Sequence, residues 1–253
     1  MILRRLGNKS RIAKDILQYF PQHNTYIELF FGAGGMFFNK PPAKYNFLND
    51  LDSNVINLFE VLINHKKELQ EYLEFVPYHE EFFKKCKTDT PKNNIEKAVY
   101  FVVLSNWGYL GKPDTLRFGQ ENQKFITIQN IEKTYLFLAS CNNQFLNKDF
   151  RKVIKSIDFK DKSASFIYAD PPYLGTTNNY SNSFNEQDSQ DLFELLVNSG
   201  IRFAMSEFEH PFILEQAKKH NLNVITIVER QSLKKRSAEI LITNYKIIQQ
   251  QLF

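Results

Sequence analysis

Asp170-Pro171-Pro172-Tyr173 concentrates more chemistry than any other stretch of the 253-residue chain. It follows Ser165-Phe166-Ile167-Tyr168-Ala169, an apolar run that reads as a buried strand. Two prolines end the strand, stiffen the backbone and remove two N–H donors. What remains is acceptor-rich: the Asp170 carboxylate and the Pro171 carbonyl, with the aromatic face of Tyr173 beside them. This set suits a planar exocyclic amine. Adenine N6 can give both its protons to two acceptors, which draws its lone pair out of ring conjugation and aims it at an electrophile. Tyr173 can stack on the ring. A base in a duplex must be rotated out of the helix to reach such a site. Taken alone, the tetrapeptide also fits a strand end with a Pro–Pro turn.

A second cluster lies upstream. The chain has 9 glycines, about half the roughly 7% norm. Three of them fall in Phe30-Phe31-Gly32-Ala33-Gly34-Gly35, after a strand read at 25–30. Glycine spent so narrowly marks backbone that a ligand or another segment approaches closely. A second strand, 45–49, ends at Asn49-Asp50. An acid there sits where a ribose diol arrives, and its two oxygens can accept both hydroxyl protons. Loop and acid fit a nicotinamide cofactor or S-adenosylmethionine. The full G-x-G-x-x-G is absent, because position 37 is Phe.

The elements that must position these groups follow from periodicity. A helix is expected over 9–20, and Ser53 is a good N-cap for a helix over 55–63. From 64 to 140 the βα alternation stops. Segments 65–75, 79–87, 94–106 and 131–140 read as helices around an irregular stretch, Trp107 to Lys124. Alternation then resumes with strands at 144–146, 165–169, 201–205, 222–228 and 240–245. Helices are expected at 150–156, 187–199 and 211–219, and a basic loop at 230–237. The expected fold is α/β: a Rossmann-like sheet with helices on both faces, carrying an inserted, mostly helical module. Residues 1–63 and 141–253 form the first unit, and 64–140 the second.

Composition excludes the other broad classes. Hydrophobic residues are 43% and charged residues 24%, which is globular. No apolar run approaches the roughly 18 residues of a membrane span, and the basic start, Met1 to Arg11, lacks the apolar stretch of a secretory signal. The two cysteines, Cys86 and Cys141, form no CxxC. A reducing cytoplasm is expected. The five histidines show neither metal spacing nor a nucleophile–His arrangement, so no metal site is expected. A net charge of +4 permits nucleic-acid binding without demanding it.

Together the motifs resemble the Dam-like, D12 class of DNA adenine-N6 methyltransferases over almost the whole chain. Gly7-Asn8-Lys9-Ser10 resembles the family's N-terminal Gly-x-Lys element, Phe30 to Gly35 its Phe-x-Gly-x-Gly, and Asp170 to Tyr173 its catalytic tetrapeptide. Tyr180 to Phe184 and Glu239 to Tyr245 resemble its C-terminal half. The resemblance implies S-adenosyl-L-methionine as cofactor and double-stranded DNA as substrate, with direct transfer to a flipped adenine. It implies cofactor contacts from Lys9, Phe30, Gly32, Gly34, Asp50, Asp149, Phe150 and Asp170. The family's aromatic residue four positions before the lysine is replaced here by Arg5, which the resemblance places beside the cofactor. Asp170, Pro171, Pro172 and Tyr173 carry the catalytic role. A cognate restriction endonuclease is a possible partner, and no membrane is.

DNA contacts are expected from two regions. Asn106 to Arg117 carries aromatic, amide and guanidinium groups. Tyr109 can fill the gap left by a flipped base, with Lys112 and Arg117 beside it. Lys234, Lys235 and Arg236 form a basic loop suited to phosphates, as do Arg4, Arg5, Lys9, Arg11 and Lys14. Trp107 reads better as a core anchor. RNA or a protein amide as substrate, and a silent DNA-binding module, are the competing readings.

Overall fold

The computed structural model describes residues 2–4, 7–109, 112–174, 184–231 and 236–246. Seven strands pair in one sheet: β1 (Thr25–Glu28), β2 (Tyr45–Asn49), β3 (Asn143–Leu146), β4 (Ser165–Ala169), β5 (Arg202–Phe208), β6 (Asn223–Gln231) and β7 (Arg236–Thr243). Their order is β3-β2-β1-β4-β5-β7-β6. Pairing is parallel from β3 across to β5, and β7 runs antiparallel to both neighbours. The chain leaves β1 toward β2 on one side and places β4 on the other. The crevice beyond the carboxyl ends of β1 and β4 is therefore a topological switch point, where α/β sheets bind ligands. Glu28 pairs in register with Tyr168, so the glycine loop and Asp170 emerge side by side.

The helices are α1 (Ala13–Leu17), α2 (Ser53–Asn64), α3 (Lys66–Phe75), α4 (Glu80–Thr88), α5 (Asn94–Asn106), α6 (Gln123–Ala139), α7 (Phe150–Val153), α8 (Glu186–Asn198) and α9 (Pro211–Lys219). Strand alternation assigns them to faces. Tyr26, Phe166, Tyr168 and Ala204 join one buried cluster with residues of α1 to α6. Ile27, Ile167, Ala169, Phe203 and Met205 join the other, with residues of α7, α8 and α9. Both faces of the central strands are covered, which is why β4 reads as an unbroken apolar run.

Several boundaries differ from the sequence reading. The helix expected over 9–20 is a 3-10 turn at Lys9–Arg11 followed by α1. The cap of α2 is Asp52 rather than Ser53; its carboxylate accepts from the Asn54 N–H at 3.0 Å. α6 starts eight residues before the expected 131, capped by Asn122. Its buried stripe is Gln123, Thr127, Ile131, Thr134 and Leu138, so three of five inward positions are polar and hide the helical period. The ends of the basic segment 230–237 are strand, since β6 runs to Gln231 and β7 starts at Arg236, and residues 232–235 lie outside the described residues.

Trp107 is fully buried at the end of α5, its ring 4.8 Å from that of Tyr78. Its indole N–H donates to the Thr127 hydroxyl at 3.3 Å. Trp107→Ala is expected to cost about 3–5 kcal/mol, the range for emptying a large aromatic site, read as a shift of the urea unfolding midpoint.

Candidate active site

A cleft of about 500 Å³ opens at the switch point. One end is built from β1, β2 and the segment after β3. Asp50 lines it, its carboxylate accepting the Gly32 N–H at 2.6 Å and the Asp52 N–H at 2.8 Å. These bonds fix where its oxygens point. Asn49 braces the rim, donating to the carbonyls of Leu29 at 2.9 Å and Lys148 at 3.0 Å. Phe30, Phe150 and Phe184 form an aromatic wall with centroids 5.5–6.0 Å apart, a surface for a flat heterocycle. Arg151 lies 4.4 Å over the Phe150 ring and pairs with Asp149, Asp188 and Asp191, tying α7 to α8 beneath that wall. Asp149 caps α7 by accepting the Arg151 N–H.

The three loop glycines do different work. Gly32 has φ +52° and its bare α-carbon faces open space within the cleft, so backbone there is accessible. Gly34 does not line the cleft; a Cβ would strike the rings of Phe38 and Phe31. Gly35 receives the N-terminal segment: a Cβ would meet the Asn8 side chain and come within 2.9 Å of the Lys9 backbone nitrogen.

That close approach carries Lys9 into the other end of the cleft. Its ammonium lies 2.8 Å from Asp170 Oδ1 and 3.4 Å from Glu239 Oε1, and 4.5 Å from the Tyr173 ring centroid. Tyr173 is half-buried; its hydroxyl donates to Glu239 at 3.0 Å and its ring packs on Phe208 at 4.6 Å. Burial opposes the Lys9 charge, but Asp170 and Glu239 outweigh it and raise its pKa. Burial raises the Asp170 pKa above the ordinary aspartate value, and the Lys9 charge opposes that shift. Two further carboxyls complete the cluster. Glu207 accepts from the N–H groups of Leu174 and Phe208, and burial pushes it up to about 8. Glu28, on the cleft floor, accepts from the Tyr26 hydroxyl at 2.8 Å and is also raised by burial to about 8.

The cleft thus brings together Lys9, Phe30, Gly32, Asp50, Asp149, Phe150, Asp170 and Pro172. Pro171 is buried and Tyr173 stands behind the lining. Lys9 is buried and joins Asp170, rather than a surface cluster with Arg4, Arg11 and Lys14. Arg5, Lys234, Lys235 and the side chain of Arg236 lie outside the described residues. Tyr109 and Lys112 are exposed, and Arg117 pairs with Glu121 at 3.5 Å. The sequence reading gave no role to Glu28, Glu207 and Glu239. Glu28 is an acid inside an otherwise apolar run, which was the available signal; Glu207 lies between Ser206 and Phe208, and Glu239 stands at the head of the apolar run 240–242.

The description "D12 class N6 adenine-specific DNA methyltransferase" belongs to the family profile that matches residues 6–240. The chain belongs to that family. It is an adenine-specific DNA methyltransferase on that membership. It is 24% identical to the type II methyltransferase M1.LlaDCHI of Lactococcus lactis subsp. cremoris, over 94% of this chain and 93% of that one. It is 25% identical to the DNA adenine methylase of Escherichia coli (strain K12), over 89% and 86%. With the type II methyltransferase M.FokI of Planomicrobium okeanokoites the identity is 24% over 96% of this chain, but only 42% of that longer protein. Among solved structures, the magnesium protoporphyrin IX methyltransferase of Synechocystis PCC 6803 aligns over 94% of this chain and 77% of its own, at 8% identity and a TM-score of 0.41.

Two outcomes follow from this geometry. Gly35→Ala must push Asn8 and Lys9 away from the loop, and is expected to lower turnover by about tenfold to a hundredfold, measured by methyl incorporation beside a thermal unfolding check. Glu207 binds a proton in the folded chain that the unfolded chain has released above the ordinary value of 4.5. Its contribution to stability is full below that value and lost as pH rises toward about 8, with a slope on the order of 1 kcal/mol per pH unit. Glu207→Gln is expected to flatten that decline in urea unfolding measured from pH 5 to 8.5.

Proposed function

We propose that the enzyme transfers a methyl group from S-adenosyl-L-methionine to N6 of an adenine rotated out of double-stranded DNA. The observation that carries this reading is the continuous cleft from Asp50 and the bare backbone at Gly32 to Asp170 and Pro172. When bound, the cofactor supplies the electrophilic methyl group. Phe30, Gly32, Asp50, Asp149 and Phe150 are the residues that would hold it. The fit rests on chemistry present in the chain. The Gly32 cradle is open, the aromatic wall accepts a purine, and Asp50 is oriented for a ribose diol.

Asp170 accepts from N6, with the Pro171 carbonyl as second acceptor, and Tyr173 supplies the stacking face. Each favours the geometry in which the N6 lone pair points along the cleft. In the same reading, residues 64–140 recognise the target and 1–63 with 141–253 hold cofactor and base. Tyr109, Lys112 and Arg117 lie between α5 and α6, where exposed side chains can enter a groove. Lys234, Lys235 and Arg236 would meet phosphates. Two of the relatives are type II methyltransferases, which supports a restriction endonuclease as a partner acting on the same sequence. A cytoplasmic location fits a DNA substrate. Among the described residues no helix is long and apolar enough to cross a membrane.

The test uses labelled S-adenosylmethionine, unmethylated duplex DNA and digestion to nucleosides. Label is expected in N6-methyladenine, falling by about a thousandfold or more in Asp170→Ala, which removes the N6 acceptor. Label in RNA or protein instead, or an Asp170→Ala variant as active as the parent, would overturn the assignment. Sequencing the methylated positions gives the target.

A further inference from the structure

Lys9 occupies the place that the target amine must take. Its ammonium forms an ion pair with Asp170 Oδ1 at 2.8 Å and rests 4.5 Å from the centroid of the Tyr173 ring. Those are the two partners assigned above to adenine N6 and its ring. A base entering the site must therefore displace this cation from Asp170. A buried ammonium cannot be left without a counter-charge, because desolvation costs several kcal/mol. A second carboxylate is already within reach. Glu239 is 1% exposed, and its Oε1 lies 3.4 Å from the Lys9 ammonium. The same oxygen accepts the Tyr173 hydroxyl at 3.0 Å.

We propose that Glu239 is a positioning residue of the transfer reaction: it takes over the Lys9 ammonium as the base enters, releasing Asp170 for N6, and holds Tyr173 in its stacking pose. The fold supplies the reason that Glu239 is there. β7 is antiparallel, so its early residues lie beside the late residues of β5, with Glu239 opposite Phe208. Phe208 in turn supports the Tyr173 ring. Glu207 is a poorer acceptor for the ammonium, because two backbone N–H groups already hold its oxygens.

This inference rests on the adenine-N6 reading, and the test separates the two. Turnover, cofactor KM and thermal midpoint are measured for the parent, Glu239→Gln, Lys9→Met and the double variant on unmethylated duplex DNA. Glu239→Gln is expected to lower kcat at least about tenfold in the parent, but less than about twofold in the Lys9→Met background, since the glutamine oxygen still accepts the Tyr173 hydroxyl and no cation then needs a second site. Cofactor KM should stay within about twofold, because Glu239 meets Lys9 and Tyr173 at the base end. Equal losses in both backgrounds, or no loss, would overturn the role of Glu239 while leaving the reaction intact. A parent that methylates no DNA adenine would overturn the reading beneath it. Where a variant unfolds or is inactive, a crystal structure of the parent with duplex target and sinefungin decides. The Lys9 ammonium is expected on Glu239 and clear of Asp170; an ammonium still on Asp170 beside the flipped base overturns the proposal.

Discussion

The Lys9 ammonium lies within salt-bridge distance of both Asp170 and Glu239, in a site where side-chain exposure is 7%, 18% and 2% respectively. Moving ions of this kind out of water costs several kcal/mol each unless they are paired and hydrogen-bonded. The reacting end of the cleft depends on this one cation. Without it, burial would raise the Asp170 pKa further with no cation beside it to oppose the shift. A neutral Asp170 would lose much of its power to polarise an amine. On the proposed reaction, the charge that opposes the rise in the Asp170 pKa is therefore also the group in front of its carboxylate.

The fold brings these groups together from distant parts of the chain. Asp170 comes from the end of β4, Glu239 from near the start of β7, and Lys9 from a 3-10 turn before the first strand. The antiparallel strand permits the second placement: a parallel β7 would carry Glu239 to the opposite end of the sheet. Gly35 permits the third, because only a residue without Cβ lets the Asn8–Lys9 backbone lie against the loop. The N-terminal segment is held from its other side too. Asn106 at the end of α5 bonds both Ile2 and Arg4, and the Arg4 guanidinium donates to Gln123 at the start of α6. Lys9 thus hangs between the catalytic strand ends and the helices proposed to read DNA.

Much of this was legible in the sequence where chemistry and local pattern coincide. β2, β4 and α9 fall within the residues expected for them, since buried strands and a Pro-initiated helix announce themselves. Asp50 and Asp170 stand where strand ends carry chemistry. The rest was hidden for physical reasons. The inward stripe of α6 is mostly polar, so periodicity gave no early start. Glu239 lies one residue before the strand expected at 240–245, and only pairing with β5 shows which end of the sheet it reaches. Gly34 looked equivalent to Gly32 as ligand backbone, yet it packs on phenylalanines, and Gly35, which was given no cofactor contact, packs on the N-terminal segment. Side-chain partners across 200 residues of chain leave no periodic trace.

The structure also separates two cofactors that the glycine loop alone did not. A nicotinamide dinucleotide brings a pyrophosphate, which α/β folds bind on free backbone N–H groups at a helix N-terminus. Here the Gly32 N–H is given to Asp50, and no long helix starts at the loop, which leads into a 3-10 turn at Phe37–Asn39. Beside Glu28, whose pKa is raised to about 8, the lining carries the carboxyls of Asp50, Asp52, Asp149, Asp170 and Asp188 against the cations of Lys9, Lys148 and Arg151. Lys9 and Arg151 are already committed to acids. Such a cleft repels a dianionic bridge and favours a ligand with positive charge. A sulfonium with an α-ammonium group meets that field; a pyrophosphate opposes it. On the proposed reaction, the same field would leave the DNA backbone to be met by basic groups outside the cleft.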